Sequence, residues 1–106
     1  MRVLFDQGTP EPLRKYLAGH SVRTAYEEGW SRLRNGDLLA AAEAAGFEVF
    51  VTTDKNIRYQ QNLAGRRIAI VVLAKQQWPA VRAHAQRVVA AIDSATPSTF
   101  NAVEIP

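Results

Sequence analysis

Three stretches of this chain are apolar at successive positions rather than at every second one: Val3-Leu4-Phe5, Val49-Phe50-Val51 and Ile68 to Leu73. A strand with one wet face alternates apolar and polar residues. A strand that is apolar on both faces must be covered on both, which is the condition of a parallel sheet. Segments of helical character lie between the runs. Gly8-Thr9-Pro10 opens a first helix over about Pro10 to Ala18, with Thr9 as N-cap, Pro10 at N1 and Gly19 closing it. Leu13 and Leu17 share its buried face. Val22, Thr24 and Tyr26 alternate, which predicts a second strand over His20 to Tyr26. Glu27 to Arg34 is a polar connection anchored by Trp30 and Leu33. Asn35 is the expected N-cap of a helix running through Leu38, Leu39, Ala42 and Ala45 to Gly46.

A third strand, Phe47 to Val51, ends in Thr52-Thr53-Asp54, and a short helix is expected over about Ile57 to Leu63. After the Ile68 to Leu73 strand, Pro79 opens a long helix to about Ile92. Its residues Val81, Ala85, Val88 and Ile92 recur on one helical face. Ala102 to Ile105 suits a short edge strand. Strands alternating with helices predict an α/β domain: a mainly parallel sheet of four or five strands with helices on both faces. The 106 residues suit one domain, and such a chain buries roughly two thirds of its unfolded surface without staples.

The absence of cysteine excludes disulfides and thiolate metal sites, and a cytoplasmic setting is the natural expectation. MRVLFDQG has too little apolar content for a signal peptide, and no run approaches the ~18 residues of a membrane helix, so no membrane is expected. The net charge is +3, and ten of the 13 basic residues are arginine, whose planar fork suits phosphate. That excess permits a polyanionic partner without requiring one.

In open α/β sheets, sites form at the carboxyl ends of strands where the strand order reverses. Val3-Leu4-Phe5-Asp6 and Val49-Phe50-Val51-Thr52-Thr53-Asp54 end alike. In the order 2-1-3-4 their strands are neighbours, about 4.8 Å apart, and the carboxylates of Asp6 and Asp54 converge on the span of one hard cation. Mg²⁺ or Mn²⁺ is held in this way, by one or two carboxylates and waters. Asp alone at either position equally suits a helix cap. Asp37, near N2 of the second helix, approaches the same edge as a third metal-binding and catalytic acid, or else serves the helix dipole. Thr53, Lys55, Arg58 and Gln61 are candidate phosphate or substrate contacts, with Thr52 able to hold a carboxylate or a water. Tyr59-Gln60-Gln61-Asn62 sets three amides after an aromatic, suited to sugar or base edges. Glu43 is out of phase with Asp37. His20 and His84 read as structural, and no P-loop, G-x-G-x-x-G or Ser-His-Asp arrangement is present. Trp30, Trp78 and the four phenylalanines read as core.

Strand-Asp6, then Pro10 with a short helix, Gly19-His20-Ser21-Val22, and Val49 to Asn56 with its T-x-D-x-[DN] element together resemble the short PIN-like proteins of bacteria. These are relatives of PIN-domain nucleases such as the VapC toxins. The similarity spans roughly Met1 to Leu73. It implies a three-layer α/β/α sandwich and Mg²⁺-dependent RNA cleavage by clustered acids, often within toxin–antitoxin systems. RNA and an antitoxin protein are the partners it implies, and a homodimer is open to it. The chain departs from the family pattern in three places. Gln7 follows Asp6 where Asp-Glu is common. Asn35 falls at the acidic position of the Ser-Asp-x-x-[Ile/Leu] pattern, with Asp37 two residues on. Ile57 replaces a frequent Phe.

Three functions follow as expectations. The first is a metal-dependent ribonuclease. The second, motivated by Gln7 and Asn35, is a PIN-like module that binds protein or nucleic acid without cutting. The third is a receiver-type phospho-acceptor, which also places acids after strands one and three and to which Lys75 superficially conforms. Against the third, Gln7 replaces its second acid and a final β-α unit is missing.

Overall fold

The computed structural model describes residues 1–57 and 65–106. Its centre is a five-stranded sheet of order β2-β1-β3-β4-β5, formed by β1 (Arg2–Phe5), β2 (Ser21–Thr24), β3 (Val49–Thr52), β4 (Ala69–Leu73) and β5 (Phe100–Val103). Every neighbouring pair is parallel. The order reverses between β1 and β3, as expected for a doubly wound sheet. Val3 pairs with Val49 and Phe5 with Val51, so the two Asp-terminated strands lie side by side and end at the same edge.

The apolar runs are buried on both faces, which is why they are continuous. Val3, Phe5, Val49, Val51, Val71 and Leu73 face one layer, with Leu13, Leu17, Val81, Val88 and Ile92 packed on them. Leu4, Phe50, Ile70 and Val72 face the other, under Leu38, Leu39 and Ala42 of α1 (Asn35–Ala44). The molecule is therefore layered helix, sheet, helix. No helix among the described residues is long and apolar enough to cross a membrane.

Several boundaries differ from the sequence reading. The first helix is a 3-10 helix over Glu11–Tyr16 rather than a longer one over Pro10 to Ala18. Its bonds run i to i+3, as from Leu13 N to Pro10 O and from Leu17 N to Arg14 O. Pro10, not Thr9, is at the N-cap, Leu17 closes the helix, and Gly19 has no positive φ. The second strand stops at Thr24, and Tyr26 lies in the following turn. Arg34 is the N-cap of α1, so Asn35 opens the helix and Asp37 falls at N3. Gly46, with φ of 85°, does terminate it. The long helix is two, α2 (Trp78–Ala83) and α3 (Ala85–Asp93), separated at His84, whose φ of −125° and ψ of 26° interrupt the helical ladder. β5 begins two residues earlier than expected. The helix expected over Ile57 to Leu63 falls outside the described residues beyond Ile57.

Charged side chains tie layers together. The His20 ring meets Asp93 at the end of α3, at 2.6 Å from Nε2 to Oδ1, while its backbone N–H donates to Leu17 O at the close of the 3-10 helix, at 2.9 Å. Glu43 accepts the Arg67 and Ile68 amides at 3.0 and 3.3 Å, binding α1 to the entry of β4. That accounts for Glu43 without any role in a site.

Candidate functional site

The loops leaving β1 and β3 meet at the carboxyl edge of the sheet. The chain turns sharply after β1, and the Asp6 carboxylate organises the turn. Asp6 Oδ1 accepts the Gly8 amide at 3.1 Å, the Thr9 amide at 3.0 Å and the Thr9 hydroxyl at 2.7 Å. Thr9 Oγ1 also lies 2.9 Å from the Val51 carbonyl on the neighbouring strand. Asp6 Oδ2 accepts the hydroxyl of Thr52. Asp6 N–H donates to Val51 O at 3.0 Å, extending the ladder to the site.

Thr52 is fully buried, and its Oγ1 also accepts the Asp54 amide at 3.0 Å. One hydroxyl thus joins the carboxylate that follows β1 to the backbone of the acid that follows β3. Asp54 Oδ1 accepts the Asn56 amide at 2.9 Å, shaping the next turn. Gly8 permits the close approach of the two loops: a Cβ there would stand 2.5 Å from Thr53 Oγ1 and 3.7 Å from Asp6 Oδ1. Thr53 is therefore beside the Asp6 turn, half-buried, while Lys55 is exposed. Arg58 and the whole Tyr59-Gln60-Gln61-Asn62 segment, Gln61 included, lie outside the described residues.

Asp37 is exposed on the first turn of α1, on the same side of the sheet. Among the described residues, no three of His, Cys, Asp or Glu gather closely enough to hold a metal ion by themselves. What the two strand ends offer is one carboxylate each, Asp6 and Asp54. Oδ1 of Asp6 carries three donors and is filled, whereas Oδ2 carries one and keeps a lone pair. Mg²⁺ accepts such a site because it retains several waters.

Gln7, which follows Asp6, gives its side-chain amide to the Ser31 carbonyl. A carboxylate has no proton to make that bond. A cleft of about 440 Å³ lies alongside, lined by Asp6, Gln7, Glu11, Tyr26, Glu27 and Ser31 among others. A larger hollow of about 660 Å³ sits at the opposite, amino edge, beside Gly46, Glu48 and Arg66. It contains none of the three acids.

Glu27 closes the β2–α1 connection. Its Oε1 accepts the Thr24 amide at 2.9 Å, and both its oxygens meet the Arg14 guanidinium. The Arg14 hydrogen bonds, with the Thr24 amide next, hold the Glu27 carboxyl well below the ordinary carboxylate range, at about 2. The same contact raises the Arg14 pKa.

Thr9 and Tyr26 were assigned other duties by the sequence reading, as an N-cap and as a strand residue. The spacing Asp6-Gln7-Gly8-Thr9 carries the signal for the first, since Asp commonly folds the next two or three amides onto its own carboxylate. Nothing in the alternation of Val22, Thr24 and Tyr26 marks where β2 stops. No protein-family model, curated protein or solved structure matches the chain.

Proposed function

We propose that this chain is a PIN-like ribonuclease dependent on Mg²⁺ or Mn²⁺, with Asp6 and Asp54 as its metal-holding pair and Asp37 acting on it through water. The observation that supports this is the Thr52 hydroxyl, which engages Asp6 Oδ2 and the Asp54 amide together at the point where the strand order reverses. A cation held there supplies, when bound, an acidified water and charge screening for a phosphodiester. The protein's own part is positional. Four donors lie within reach of the Asp6 carboxylate, the one Thr9 hydroxyl proton being shared between it and Val51 O on β3. Thr53 borders the site on the β3 side, where a phosphate would lie, and Lys55, further along the same loop, lines a hollow against β4 and β5.

Purified protein is expected to cleave RNA only with added Mg²⁺ or Mn²⁺. Asp6→Asn and Asp54→Asn each abolish cleavage. Asp37→Asn, acting through a water, lowers it by about ten- to a hundredfold. Absence of cleavage with Mn²⁺ over a panel of single-stranded and structured RNAs would refute the proposal.

A second reading, a PIN-like module that binds without cutting, is favoured by the same four donors on Asp6 and by the commitment of Gln7 to Ser31. Calorimetry separates the two. Millimolar Mg²⁺ or Mn²⁺ that gives no binding heat supports the module, and binding heat that disappears in Asp54→Asn rules against it.

A further inference from the structure

Tyr26 is 79% exposed, far more than any other large apolar side chain among the described residues. Aromatic rings are usually at least partly buried, so a ring left in water on a well-held loop asks for a reason. The loop is well held. Ala25 N–H bonds to Phe5 O at 2.8 Å, continuing the β1–β2 ladder, and Ala25 is buried. Thr24 and Glu27 exchange reciprocal bonds around the turn, at 2.9 and 3.1 Å. Gly29, with φ of 80°, donates to Tyr26 O at 3.0 Å, a backbone conformation that suits glycine. Trp30 N–H returns to Ala25 O at 2.8 Å, and the Trp30 ring packs edge-on to Phe47, with centroids 6.1 Å apart. Tyr26 is therefore displayed on a turn whose ends are both anchored in the fold.

Its position is specific. Tyr26 lines the cleft that contains Asp6, Gln7 and Ser31. Glu11 also lines this cleft, and two of the acids on the Tyr26 loop itself are paired. Glu27 is taken by Arg14 and Glu28 by Arg23. Arg32 and Arg34, further along the same loop, are exposed and have no acidic partner among the described residues. An exposed ring with two unpaired guanidinium groups on one loop is the combination that receives an unpaired base and its flanking phosphates. A protein surface would be expected to need a broader apolar patch than one ring and the partly exposed Leu33.

We propose that Tyr26 is a stacking platform for one base of a single-stranded RNA, with Arg32 and Arg34 contacting its phosphates, so that the backbone is delivered to Asp6. This rests on the ribonuclease reading for the nature of the ligand, but it concerns binding and is tested apart from cleavage. The probe is a short fluorescent oligouridine, titrated in EDTA and read by anisotropy. Tyr26→Ala is expected to weaken binding by roughly tenfold or more, whereas Tyr26→Phe, which keeps the ring, stays within about twofold. Arg32→Ala and Arg34→Ala each reduce the slope of log affinity against log salt by about 0.7. In the cleavage assay with Mn²⁺, Tyr26→Ala raises KM and leaves kcat near wild type. Because the ring is in solvent, all four variants keep the wild-type melting curve, which is checked first.

Oligouridine binding by Tyr26→Ala equal to that of wild type overturns the platform and leaves the ribonuclease reading standing. Wild type that binds RNA through Tyr26 but cuts nothing with Mn²⁺ leaves the platform and removes the ribonuclease. Wild type that binds no RNA in EDTA or in Mn²⁺ overturns the platform and makes Tyr26 a contact for protein.

Discussion

Thr52 ends β3 inside the protein, and its hydroxyl both donates to Asp6 and accepts from the Asp54 amide. Replacing it with the nearly isosteric valine removes both bonds without opening a cavity. A buried polar group that loses its partner costs about 1–3 kcal/mol, so Thr52→Val is expected to lower stability by that amount in urea unfolding. Thr52→Ser keeps the hydroxyl, and it isolates the contribution of the methyl group. If Thr52→Val proves as stable as wild type, the hydroxyl does not join the two loops in solution. At this scale the T-x-D element was legible, because a buried hydroxyl two residues before an acid has few other uses. Thr9 was misplaced for a physical reason. A threonine before proline fits an N-cap, but here the competing acceptors are Asp6 Oδ1 and Val51 O, and the second lies 42 residues away in sequence. Local spacing carries no information about a partner that the tertiary fold supplies.

The β2–α1 connection shows how an element is held by charge without burial. Glu27 titrates at about 2 against an ordinary 4.5, chiefly through its hydrogen bonds to Arg14, with the Thr24 amide second. The folded value is depressed, so the associated stability is fully present above the unfolded pKa. It is lost as pH falls from about 4.5 toward 2. Both side chains are about a third exposed, and water screens the pair, so the loss is modest. Urea midpoints measured across that range are expected to fall more steeply in wild type than in Glu27→Gln, which has no proton to gain there. Parallel curves would mean that the Arg14 contact contributes nothing. The existence and order of the elements were legible here, but their edges were not. His84 interrupts the last helix, yet Val81, Ala85, Val88 and Ile92 are all buried on either side of it. The apolar pattern is the same with or without the break, and so bears no mark of it.

At the scale of the molecule, one sheet serves two cores. Adjacent residues of β1, β3 and β4 point to opposite layers, Leu4, Phe50 and Ile70 to one and Val3, Val51 and Val71 to the other. This is what the continuous apolar runs encoded, and it explains why the parallel topology was readable, whereas the resemblance to PIN-like proteins draws on a few residues at one edge. A sheet shared in this way cannot release one layer and keep the other, since unfolding either face removes the platform of both. The tryptophans report the layers separately: Trp30 packs with the α1 layer, and Trp78 with the layer of α2, α3 and the 3-10 helix. Single-tryptophan variants made with Trp30→Phe and Trp78→Phe are therefore expected to show coincident urea transitions. Phe50 is fully buried in the α1 layer, and Phe50→Ala removes about 3–5 kcal/mol. That loss should appear undiminished in the fluorescence of Trp78, on the far side of the sheet. A Trp78 transition that stayed in place while that of Trp30 moved would show two layers folding independently, and the sheet would not be the common frame from which the Asp6 and Asp54 loops are hung.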